Sequence, residues 1–286
     1  MKAFNDKKFP NSLKIISRSH VIYYFCRLVK KVTPNLFMLI AAPVAAQKAS
    51  TTVQQIWFSY HNQTRFSNKL GLWNDAQLRT RNNFTEKFSI YILRTGLMYY
   101  FNEDLRATMG YAYAHTFPAI PEGIPQIEHR PWQQILWQNR YPSLRFTQSI
   151  RLEERFRRKM VSSTQSSKGY DFNYRLRYNL GLNFTFSRKP FEQRTFSYTA
   201  SDDVHLNFGK QVVYSSFDQN RVFVAAQYHT DNQDFLQLGY LYIYQQTGAI
   251  RYRHTHAFRL TYMHVLDLRK NKQTNSQRNE SAPETD

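Results

Sequence analysis

Residues 171–186 read DFNYRLRYNLGLNFTF. Every even position is aromatic or aliphatic, from Phe172 and Tyr174 through Leu176, Tyr178, Leu180 and Leu182 to Phe184 and Phe186. Every odd position is polar or glycine. A period of two is the signature of a β-strand. An ordinary strand has about 5–6 residues. A strand this long, greasy on one face and wet on the other, suits a bilayer, which takes about 9–11 tilted residues to cross. The rings at both ends of the apolar row, with leucines between them, match the girdles of a lipid-facing surface.

The pattern recurs. Alternating segments fall at roughly 54–63, 70–81, 88–101, 105–117, 132–141, 144–158, 171–186, 196–208, 221–229, 235–245 and 254–268. No helical period of comparable length competes. The links alternate in length: TRFSN, NED, PS and TDNQ are tight, whereas 118–131, 159–170, 209–220 and 246–253 are longer. Short turns on one side and longer loops on the other characterise outer-membrane barrels. The expected fold is all-β: a closed, antiparallel, up-and-down transmembrane barrel of about 12 strands, within a range of 10–14, because single-chain bacterial barrels favour even counts. A soluble barrel with the apolar rows turned inward, such as a periplasmic lipid carrier, is the rival fold. The mean hydropathy of −0.62 combined with 16% aromatic residues is unusual for a soluble domain.

The flanks read differently. Residues 1–35 are basic, and LFMLIAAPVAAQ follows. Val44 and Ala46 suit a signal-peptidase site, so residues 1–46 are expected to be a cleaved export leader, with the barrel over 47–268. The leader contains Cys26, the only cysteine, without a lipobox before it. The barrel therefore gains nothing from disulfides or thiolate metal sites. Removing the leader leaves +12 of the formal net charge of +19. Residues 269–286 have no apolar period and read as a disordered tail. No apolar stretch is long enough for a membrane-spanning helix.

If the apolar rows face lipid, the other rows face an enclosed space. There the inward residues include Asp75, Arg79, Arg94, Arg140, Arg145, Arg151, Glu153, Arg155, Arg157, Arg175, Arg177, Asp203 and Arg221. Charges in a narrow lumen must be paired or wet. Glu153, Asp75 and Asp203 are the expected acceptors, with Glu153 serving Arg151 or Arg155. The network either fills and stiffens the lumen or admits a small anion, since arginine favours phosphate and carboxylate.

Ser201, Asp203 and His205 share one face at spacing i, i+2, i+4, which suggests a hydrolase acting on lipid or envelope substrates. Same-face neighbours on a strand lie about 6.6 Å apart, beyond hydrogen-bond reach, and no G-x-S-x-G element is present. His254 and His256 lack companion ligands for a metal. No cofactor fingerprint occurs, and nucleic acid is not an expected partner. The expected partners are outer-membrane lipid, the barrel-assembly machinery during insertion, and a small anion.

The runs HRPWQQILWQNRYPSLRFTQSIRLEERF, YDFNYRLRYNLGL, DDVHLNFG, FDQNRVFVAAQY and LQLGYLYIYQQ occur in this order. Together with LGLWNDAQLRTR they resemble a family of exported barrels classed only as a domain of unknown function, numbered twenty-four-ninety. The resemblance covers about Trp57 to Leu268. Its most specific pieces are Arg130–Gln134, Arg151–Phe156 and Asp218–Arg221. Where the family is expected to show an Asn-Glu pair, this chain has Asp202 and Asp203. The resemblance implies an outer-membrane location and supplies no reaction or ligand.

Overall fold

The computed structural model describes residues 49–269, apart from 189, 213–214 and 231–233. The leader and, beyond Arg269, the tail lie outside the described residues. Eleven strands follow one another: β1 (Ala49–Arg65), β2 (Leu70–Arg81), β3 (Lys87–Tyr100), β4 (Leu105–Thr116), β5 (Gln126–Tyr141), β6 (Leu144–Met160), β7 (Ser166–Phe184), β8 (Phe196–Phe208), β9 (Phe217–His229), β10 (Phe235–Gln246) and β11 (Arg251–Asp267).

Each strand pairs with its neighbours in sequence, and β11 returns to β1 to close a barrel. The count falls within the expected range but is odd rather than the favoured twelve. An odd meander leaves its first and last strands pointing the same way. The seam is accordingly parallel, from Ala49 beside Arg251 to Arg65 beside Asp267, while every other pairing is antiparallel. The chain therefore enters β1 at one rim and leaves β11 at the other. The first is the entry rim and the second the exit rim.

The expected division into short and long links does not hold. β5 starts at Gln126 rather than near 132, and β9 at Phe217 rather than near 221. The entry-rim links shrink accordingly, to 117–125 and 209–216, and the longest link, 185–195, lies at the exit rim. The added residues are polar on their inner face and carry little apolar contrast, so the ladder runs on where the hydrophobic alternation fades.

The apolar rows point out. Met109 is 67% exposed and Leu238 59%, while Glu153 and Arg175 are 4% and 5% exposed. A soluble carrier would need the opposite arrangement. Aromatic pairs ring both rims on the outside. Tyr91 stacks on His115 and Phe156 packs on Phe172 at the entry side, while Tyr99 meets Phe101 and Phe196 meets Tyr228 at the exit side. Between them lie Leu93, Leu97, Met109, Ile135, Ile150, Val224 and Leu238. On β7 the band runs from Tyr174 to Phe184. That is about 33 Å along the strand and roughly 25 Å along the axis at a tilt near 40°. An apolar outer-membrane band is about 25 Å tall.

Inside, Gly96 on β3 and Gly110 on β4 sit opposite each other in register. A Cβ on Gly110 would lie 2.6 Å from the Trp132 ring and 2.2 Å from the Thr95 carbonyl oxygen. The glycine pair is thus a flat floor for Trp132, which is among the most buried side chains.

Candidate anion-binding lumen

One side of the inner wall, from β5 to β9, carries a continuous ionic chain. Glu153 on β6 faces Arg175 on β7 in register. Arg175 donates to it through Nε at 2.9 Å and also through its terminal nitrogen. Arg177 donates to Glu153 at 3.1 Å and to Asp203 on β8. Arg175 also reaches Asp218 on β9 at 3.3 Å. Arg155 lies 3.9 Å from Asp218 and donates to Glu128 at 2.5 Å. Arg130 donates to that same carboxylate at 2.7 Å. His205 closes the chain, with Nε2 2.9 Å from Asp203 and Nδ1 2.8 Å from the Gln219 amide. Such charge-assisted, forked contacts are the arrangement that buried guanidinium groups need.

A smaller group sits on β1–β3. Asp75 accepts from Arg94 Nε at 2.8 Å and from Gln77 at 3.2 Å, and His61 Nε2 approaches it to 2.5 Å.

The remaining wall, from β9 through β11 to β2, is different. Arg79 lies flat over Trp57, 3.5 Å from the ring centre, and donates to Gln77 at 2.9 Å. Arg259 lies 3.6 Å over Phe223 and donates to Gln237 at 3.3 Å. Arg221 stands 5.5 Å from Trp57. Among the described residues no carboxylate oxygen comes within 4 Å of these three. Gly239 stands opposite Arg259 in register, and a Cβ there would lie 2.7 Å from the Phe223 ring. The missing side chain lets Phe223 lie under the guanidinium. The rings supply cation–π attraction, which compensates a charge only in part.

Between these walls lies a cavity of about 300 Å³. Eight arginines border it: Arg79, Arg94, Arg130, Arg151, Arg175, Arg177, Arg221 and Arg259. Asp203 is the one carboxylate in its lining, and Trp57, Ile92 and Phe223 supply apolar patches. A second cavity of about 340 Å³ continues toward the exit rim past Trp73, Arg151 and Arg177. A third, of about 560 Å³, lies at the entry rim beside Arg157 and Arg253. At the exit mouth Phe191, between β7 and β8, is buried, and its ring lies 3.9 Å from Arg145.

Most of the inward residues expected from sequence face this space, with different partners in places. Glu153 serves Arg175 and Arg177; Arg151 is 4.0 Å away and Arg155 turns to Glu128 instead. Neighbours two apart on one strand point in parallel, whereas cross-strand partners converge. Arg140 is not in the lumen network. It is half exposed at the exit rim, 2.9 Å from Asp104. Arg145 sits under Phe191 and Arg157 at the entry mouth. Ser201 borders the central cavity, yet no hydrogen bond joins it to Asp203 or His205 among the described residues; Asp203 and His205 belong to the ionic chain. His254 and His256 face outward against the hydroxyls of Tyr242 and Tyr240. Sequence reasoning missed Glu128, Arg130 and Asp218 as lumen charges, since they fell in presumed loops, although the resemblance motifs contain Arg130 and Asp218. It also missed Arg259.

A family model described as "Protein of unknown function (DUF2490)" matches residues 54–254. The chain belongs to this family. The DUF2490 match runs from β1 into β11 and contains the ionic chain, Arg79 and Arg221, but ends before Arg259. No curated protein matches the chain. A solved structure titled "NanC porin structure in rhombohedral crystal form" is similar at 10% identity, with a TM-score of 0.42, over 69% of this chain and 90% of that one.

Proposed function

We propose that this DUF2490 barrel resides in the outer membrane and is of transport type, with an arginine-rich, largely plugged lumen that admits small anions. The observation that carries this reading is the central cavity, bordered by eight arginines and one carboxylate. A wall of that composition excludes cations by electrostatic repulsion and offers forked donors to carboxylate or phosphate. The aliphatic band between two aromatic girdles supports the membrane location, with surrounding lipid and the assembly machinery as partners. The ionic chain and the buried Phe191 account for the plug.

Purified full-length protein in planar bilayers under a salt gradient tests the reading. The reversal potential should show preference for anions, and Phe191→Ala should raise conductance. Cation preference, or silence at every voltage in both proteins, would contradict it.

A further inference from the structure

The three arginines without a carboxylate share a second property. The Nε atoms of Arg79, Arg221 and Arg259 are each buried and have no hydrogen-bond partner. A buried donor left unmade costs about 1–3 kcal/mol, and more when charged. The three guanidinium groups border one cavity, from β2, β9 and β11, with no carboxylate oxygen within 4 Å of any of them among the described residues. The Nε atoms of Arg130 and Arg157 on the β5–β9 wall are likewise buried without a partner, but there Arg130, Arg151, Arg155, Arg175 and Arg177 each have a carboxylate within 4.0 Å, which these three lack. Two of them are held flat by rings, Arg79 on Trp57 and Arg259 on Phe223. That pre-orients their forks at little further entropic cost.

We infer that Arg79, Arg221 and Arg259 form a binding site for a small oxyanion bearing two or more negative charges, of the polycarboxylate or phosphate class. The inference rests on the reading of the lumen as anion-admitting and specifies valence and residues within it. The charge of the site sets the valence: three guanidinium groups with no carboxylate in direct contact face a cavity bordered by eight arginines, whose lining holds a single carboxylate, Asp203, itself engaged by Arg177. A monoanion would leave most of that charge unmatched. The volume of about 300 Å³ restricts the ligand to a small molecule.

Calorimetric titration of full-length protein in detergent, at fixed ionic strength, tests this with citrate, inorganic phosphate and acetate. Citrate or phosphate should bind tightly and acetate at least about 10-fold more weakly. Arg79→Gln, Arg221→Gln and Arg259→Gln should each weaken citrate binding by about 10- to 100-fold. Arg140→Gln, at the rim, should leave it unchanged. If a glutamine variant fails to fold, the corresponding lysine variant keeps the charge without the fork and should also bind more weakly. Equal binding of acetate and citrate, or wild-type citrate affinity in all three variants, would overturn the inference. Phosphate binding without citrate binding would assign the phosphate class, and the reverse the polycarboxylate class. Bilayer selectivity for anions that persists when citrate binding is insensitive to these variants would sink this site alone. Variant-sensitive binding in a barrel that passes no anion would sink the transport reading alone.

Discussion

The two sides of the lumen handle the same residue type in opposite ways. From β5 to β9, arginine meets acid in an unbroken chain from Glu128 to Asp203. From β9 round to β2, arginine meets tryptophan, phenylalanine and glutamine. The first arrangement engages each of its carboxylates with arginine and divides the space. The second leaves positive potential facing a cavity. Arginine content alone therefore says little about function; the partner of each guanidinium decides whether it braces the wall or faces a ligand.

The sharpest way to break this comparison is to remove an acid from the paired wall. Glu153→Ala strands Arg175 and Arg177 in a buried setting and should cost about 3–5 kcal/mol, read as a lower urea midpoint of unfolding. A negligible loss would mean that water already screens the chain there. Gly110→Val, which drives a side chain into Trp132 and the Thr95 carbonyl, should cost about 1–3 kcal/mol by the same assay. Arg259→Gln should cost far less. It removes no ion pair within 4 Å, and the lost attraction to Asp75 and Asp203 is set against lost repulsion from Arg94 and a smaller burial cost, so stability should change by less than about 1 kcal/mol. A loss as large as that of Glu153→Ala would erase the distinction between the walls. Asp104→Asn at the exit rim breaks an exposed pair with Arg140 and should change stability by less than about 0.5 kcal/mol.

Much of the barrel was legible because the alternation of Phe172 to Phe184 is a local signal that survives folding unchanged. The eleven segments found by period two became the eleven strands. Strand ends were not legible. Glu128 and Asp218 follow the ladder, but hydrophobic contrast is gone there, so they passed for loop residues. Pairing was legible only by face. The face of Glu153 follows from the period of β6, while its partners depend on register between β6 and β7, which no single-strand pattern encodes. The ring partners of Arg79 and Arg259 were hidden for a related reason. They are Trp57 and Phe223, which stand on inner faces where the period predicted polar residues.

Everything above requires the apolar rows to touch acyl chains. Trp57 and Trp132 are buried inside, and Trp73 borders both inner cavities. Trp137 stands on the outside beside Ile135, Ile150 and Leu152. Tryptophan fluorescence in vesicles of brominated phosphatidylcholine separates these positions. The account requires substantial quenching of the wild type and its near-complete loss in Trp137→Phe, with the inner three still emitting. Quenching that persists in Trp137→Phe, or is absent from the wild type, would place the greasy face elsewhere and contradict the account.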